Sequence, residues 1–187
     1  MPRTLAALLL AVALLLPAAS QARAEMQIHL TDPLAKATVE GRTDEVRRRL
    51  NDGASPNTRS AAGLPLLALA ARADNVAMVT LLLERGARID HGGEQGNTAL
   101  HVAARHGSYA AAKRLIRAGG DLDAGNGQGM TPLMMAARHD QPQLVDLLLA
   151  EGADPGYTDY TGRDALMWAR ENAGMAVLRR LERATGG

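Results

Sequence analysis

The chain has 187 residues, 47% of them hydrophobic and 22% charged, the composition of a globular protein with one continuous core rather than of a disordered segment. Aromatics are only 2% with no Phe, so the core must be built from small side chains packed closely, which suits helices better than a sheet sandwich. The lack of cysteine excludes disulfides, zinc–thiolate sites, thiol nucleophiles and a cysteine-linked lipid, and a net charge of +1 is too small for general nucleic-acid affinity.

Residues 1–24 read as a secretory signal peptide. Arg3 gives a basic start, Leu5 to Leu16 is an unbroken apolar run, Pro17 ends it, and Ala22-Arg23-Ala24 offers small residues at a cleavage site before Glu25. Ala18-Ala19-Ser20 is a second candidate cut. A membrane anchor would need about 20 apolar residues, more than this run supplies. Removal of Arg3 and Arg23 takes the basic count from 21 to 19 against 20 acidic residues, so the mature chain 25–187 is nearly neutral. The expected location is the bacterial periplasm, with extracellular release the alternative, and no membrane insertion of the mature chain.

From residue 31 onward one period governs the sequence. Glycines fall at 53, 86, 119 and 152, and again at 63, 96, 129 and 162, both series evenly spaced and in the same register. The segments DPLAKATVEG, PLLALAARAD, TALHVAARHG, TPLMMAARHD and DALMWARENA recur with that period. Such periods mark stacked units that cannot bury their faces singly. Within a period, Thr98 and Thr131 are helix N-caps, and Pro132 suits a first helical turn. Ala103-Ala104 and Ala136-Ala137 allow close helix approach. A second helix carries the apolar load, with Val76, Val79, Leu82 and Leu83 in one repeat and Leu144, Val145, Leu148 and Leu149 in another. It ends at Gly86, Gly119 or Gly152, where a left-handed residue is wanted.

TALHVAAR, TPLMMAAR and LLLERGARID resemble ankyrin repeats in period and motif, over about Thr31 to Leu181. The resemblance implies an all-α solenoid of about five helix–turn–helix repeats of about 33 residues each. They lie near 31–63, 64–96, 97–129, 130–162 and 163–187, with β-hairpin loops projecting to one side. Pro65 and Asp164 depart from the family's threonine. Only His101 keeps its histidine; Ala35, Ala68, Met134 and Met167 stand elsewhere. Arg48, Arg49 and Arg180 replace the leucines of inner repeats, as expected of terminal repeats with a polar outer face.

No catalytic motif is present, and an enzyme is not expected. None of the serines, Ser20, Ser55, Ser60 and Ser108, sits in a G-x-S-x-G elbow, and there is no H-E-x-x-H. Gly125-Asn126-Gly127-Gln128-Gly129 lacks the spacing of a phosphate loop and reads as a hairpin tip. His106 and His139 recur on adjacent repeats, but no third metal ligand is evident; neither a metal nor a cofactor is expected. His101 reads as a structural hydrogen-bonding residue and Trp168 as core of the C-terminal repeat. Met134 and Met135 read as core filling, Met130 as exposed. Arg72, Arg105 and Arg138 recur at the end of the first helix in three successive repeats. They form either a basic stripe or favourable helix C-terminal charges, and the two roles are compatible.

In the ankyrin family, partners usually meet the hairpin tips and the exposed face of the first helices. Carried to matching positions, that surface comprises Arg59, Leu64, Arg72, Glu94, Gln95, Asn97, Arg105, His106, Gln128, Met130, Arg138, His139, Tyr160 and Arg163. Leu64, Met130 and Tyr160 would be apolar anchors. The resemblance extends to small exported ankyrin proteins of Gram-negative bacteria. It implies a monomeric, non-catalytic scaffold for another exported protein bearing an acidic and partly apolar patch, such as an oxidative-stress enzyme. The alternative is an inhibitor or immunity protein that blocks a toxic or hydrolytic enzyme.

Overall fold

The computed structural model describes residues 32–186. The signal segment 1–24, its cleavage site and His29 lie outside the described residues. Among the described residues ten helices follow one another as five pairs. They are α1 Pro33–Val39 and α2 Thr43–Asn51, α3 Leu66–Arg72 and α4 Val76–Glu84, α5 Ala99–His106 and α6 Tyr109–Arg117, α7 Pro132–Arg138 and α8 Pro142–Ala150, then α9 Ala165–Asn172 and α10 Met175–Ala184. The odd-numbered helices pack side by side in one layer and the even-numbered helices in a second.

The caps follow from the sequence. The Thr98 and Thr131 hydroxyls accept from the His101 and Met134 backbone N–H groups, both at 3.4 Å. The Asp164 carboxylate does the same for Met167 at 2.7 Å, so this departure from threonine preserves the cap. Pro65 makes no such bond; the chain enters α3 with Pro65 in extended backbone instead. Gly86, Gly119 and Gly152 all have left-handed φ, between 83° and 100°, just beyond the second helices.

The core runs the length of the stack. In α3, Leu66 to Ala71 are all buried; in α7, Pro132 to Ala137 are all buried. The first helices of the three inner repeats are thus enclosed over most of their length, which the alanine pairs permit, whereas α9 buries only Ala165 and Ala169. The second helices bury one stripe, as in Met78, Val79, Leu81 and Leu82 of α4. Each fully buried leucine contributes about 2 kcal/mol relative to exposure. At the ends Arg48 is exposed, Arg49 pairs with Glu45 at 2.9 Å, and Arg180 reaches back to Asp146 of α8 at 2.8 Å.

The tips are hairpin turns without extended ladders. Each is closed by two backbone bonds: Ser60, Gly93, Asn126 and Asp159 donate to the Leu64, Asn97, Met130 and Arg163 carbonyls, and accept from Gly63, Gly96, Gly129 and Gly162. The one isolated bridge among the described residues joins Arg59 and Pro65. Gly63, Gly96, Gly129 and Gly162, all with left-handed φ between 69° and 81°, allow so tight a closure. The flanking segments hold few of the β-branched and aromatic residues that would prolong pairing.

Two further periodic devices join neighbouring repeats. Asn57, Asp90 and Asp123, each one period from the next, accept backbone N–H bonds from Arg88, Asp121 and Asp154 of the following repeat, at 2.8, 3.0 and 3.0 Å. Tip backbones also bond directly, Gly127 to the Gln95 carbonyl and Tyr160 to the Gln128 carbonyl. Register between repeats is therefore fixed by backbone as well as by core packing.

Candidate partner-binding groove

A groove of about 300 Å³ lies between the tips and the first helices. Seven of the fourteen surface residues line it: Leu64, Arg72, Glu94, Gln95, Asn97, Arg105 and His106. Val102 and Met135, nearly buried in α5 and α7, contribute its apolar floor. The other seven lie elsewhere on the tips and on the first helices of neighbouring repeats.

The charge is one-sided along the first helices α3, α5 and α7, which hold no acidic residue. Arg72, Arg105 and Arg138 each occupy the last turn of their helix, where a cation complements the helix dipole. None takes part in an ion pair among the described residues. Two imidazoles sit within their field. His106 is pushed below its ordinary pKa by partial burial and by Arg72 and Arg105. His139 is pushed down by partial burial and by Arg105, Arg138 and His106. The causes run along the stack in order, so the five side chains form one electrostatic row. Both histidines are held toward the neutral form, and an anion on this face would reverse that.

The tip residues differ in how free they are. Arg59 is engaged: its guanidinium donates to the Gly92 carbonyl at 3.0 Å and contacts the His91 ring. Glu94, Gln95 and Gln128 are exposed, and Tyr160 is 80% exposed. The Asn97 carboxamide accepts from Asn126 at 2.8 Å, tying adjacent tips together. Met130 departs from the expectation of an exposed anchor. It is 1% exposed, because the turn at Gly129 directs it under the tip, and its carbonyl accepts from His101. Leu64 and Tyr160 are the apolar groups that this surface retains.

Three functional details were not foreseen from sequence. Ser60, Asn126 and Asp159 stand at the same place in their repeats, and all are buried. Each uses its side-chain oxygen to accept from tip N–H groups: Leu64 for Ser60, Gln128 and Met130 for Asn126, Thr161 and Arg163 for Asp159. These are local turns made by a short polar side chain, and the same period that gave the glycines would have found them. The second detail is Asp74 and Asp140, which take left-handed φ near 50° where the middle repeat has Gly107. Their carboxylates accept from Ala111 and Gly174 in the next repeat, at 2.7 and 2.9 Å.

The third is Trp168. Its ring packs against the core, as expected, but it is only half-buried and also reaches the first-helix face. The Arg138 guanidinium lies 4.7 Å from the ring centroid and that of Arg163 lies 4.9 Å away. The indole N–H donates to Asp159 Oδ2 at 3.0 Å. The neighbouring repeat supplies Arg138, so no reading of one repeat alone could assemble the cluster.

A family model for ankyrin repeats, in three copies, matches residues 34–126 and 111–181. The chain belongs to the ankyrin repeat family. Ankyrin repeats are protein–protein interaction modules.

Proposed function

We propose that this chain is a non-catalytic periplasmic protein that binds and scaffolds another exported protein through its first-helix face and hairpin tips. The observation that carries the reading is the row Arg72, His106, Arg105, His139, Arg138. Its three arginines stand on a rigid surface without carboxylate partners among the described residues, with two imidazoles held toward the neutral form between them. Arginine suits this task because its planar fork meets carboxylates in two parallel bonds. The partner would therefore present an acidic patch, with apolar groups to meet Leu64 and Tyr160. A specific complex would cover about 800 Å² of this face. The apolar run at residues 5–16 and the small residues before Glu25 support export, and an oxidative-stress enzyme is one class of exported partner.

The test is charge reversal at Arg72, Arg105 and Arg138 together. Immobilised wild-type protein is expected to retain a defined periplasmic partner, identified by mass spectrometry and then purified for a binary titration. The reversed protein, shown to be folded by circular dichroism, is expected to lose it. Equal affinity in both proteins would remove this face as the binding surface.

A further inference from the structure

The Arg138–Trp168–Arg163 stack has a geometry that neither helix dipole nor core packing requires. Trp168 is the single tryptophan of the chain. Its ring is fixed at one edge by Asp159, which is itself buried and held by Thr161 and the Arg163 backbone. The ring in turn holds the two guanidinium groups. Arg163 is partly neutralised, since Nη1 donates to Glu171 at 3.0 Å. Arg138 is not. Its Nη1 points to the Met130 sulfur at 3.8 Å, a weak acceptor, and no carboxylate pairs with it among the described residues.

A guanidinium held by a ring loses rotamer freedom before any ligand arrives. Its N–H edge remains available, and less entropy is lost when a carboxylate binds. Arg105 adds positive field along the row, and His139 beside Arg138 is held toward the neutral form by both arginines and by burial. The nearby carboxylates are both engaged, Asp159 by the indole and Glu171 by Arg163, which leaves the Arg138 guanidinium as the unpaired charge of the stack among the described residues.

We propose that Arg138, clamped by Trp168, is a preorganised receptor for a glutamate or aspartate carboxylate in an acidic segment of the partner protein. Arg138 makes the contact; Trp168 and Asp159 are positioning residues. The inference rests on the first-helix face being the partner surface. It adds the specificity-determining contact at the C-terminal end of that face.

Poly-L-glutamate is the probe, titrated at low ionic strength while Trp168 emission is followed. A saturable emission change is expected, absent with poly-L-lysine and not reproduced by sodium sulfate at equal ionic strength. Arg138→Lys keeps the charge but loses the planar fork, so Kd should rise about fivefold. Trp168→Phe, followed by calorimetry, should raise Kd about threefold because the platform is smaller and no longer anchored. A wild-type Kd in either variant, an equal response to sulfate, or no saturable response to poly-L-glutamate overturns the proposal. The double variant Arg72→Gln/Arg105→Gln separates this failure from that of the parent reading. If it loses the probe while Arg138→Lys does not, the face binds acidic chains and only the clamp is wrong. If neither variant alters binding, both readings fall.

Discussion

The imidazole of His101 on α5 donates from Nε2 to the Met130 carbonyl, 2.8 Å away in the following repeat. The Thr98 backbone N–H reaches Nδ1 at 3.2 Å, which makes Nδ1 the acceptor and leaves the hydrogen on Nε2. His101 is fully buried, so it joins two repeats and closes a capping box at once. His101→Ala would strand the Thr98 N–H, leave the Met130 carbonyl with only its Asn126 partner and open a cavity, at a cost of about 3 kcal/mol. His101→Gln can still accept from Thr98 and should cost about half as much. Chemical denaturation of the two variants would test the ranking.

The same residue makes stability depend on pH. Burial holds the folded His101 pKa below its ordinary value of 6.5, against the opposing pull of the Met130 and Ala124 carbonyls. In the unfolded chain His101 protonates near 6.5, while the folded form resists protonation until lower pH. Between those points the unfolded state binds more protons, so stability is complete above 6.5 and declines as pH falls through the folded pKa. The thermal midpoint of the wild type should drop between about pH 7 and pH 5, and His101→Gln should show a shallower drop.

Binding should carry the opposite pH sign. Partial burial and the arginines Arg72, Arg105 and Arg138 lower the pKa values of His106 and His139 and favour their neutral forms in the free protein. An acidic partner seated on this row would raise both pKa values, so the complex takes up protons. Affinity for poly-L-glutamate should therefore strengthen as pH falls from about 7.5 to about 6. Calorimetry in two buffers of different ionisation enthalpy would measure the uptake directly. Replacing both histidines with Gln should abolish it.

Asp159 offers a clean dissection of the tip from the stack. Burial alone would raise its pKa, but bonds from Thr161, Arg163 and Trp168 outweigh that and hold it below its ordinary value. Asn126 occupies the equivalent place one repeat earlier and closes its turn with an amide. Asp159→Asn should thus keep the turn while weakening the Trp168 bond. A stability loss of about 1 kcal/mol is expected, together with a shift of Trp168 emission to longer wavelength. A loss with unchanged emission would show that the turn, not the indole, depends on the charge.

The left-handed aspartates give a test of the inter-repeat links. Asp140→Ala removes both the bond to Gly174 and a side chain tolerated at positive φ, and should cost about 2 kcal/mol. Asp140→Gly relieves the backbone but not the lost bond, so it should fall between the two proteins. Denaturant midpoints for the three would order them.

The sequence alone determined the repeat architecture. One constant period, glycines where the backbone must turn left-handed, caps at Thr98 and Thr131 and alanine pairs in the first helices are all local requirements. Each can be read from residue type and spacing because it acts within one repeat. His101 and the burial of Met134 and Met135 were legible for the same reason. What only the tertiary structure decided lies between repeats. Met130 looked free beside its cap and is buried because the Gly129 turn folds it under the tip. Trp168 looked like core and is also a clamp, because stacking places α7 against α9 and brings Arg138 to its ring. Side-chain direction at a repeat junction depends on how one unit sits on the next, and that is fixed by packing and backbone bonds rather than by the residues of either unit alone.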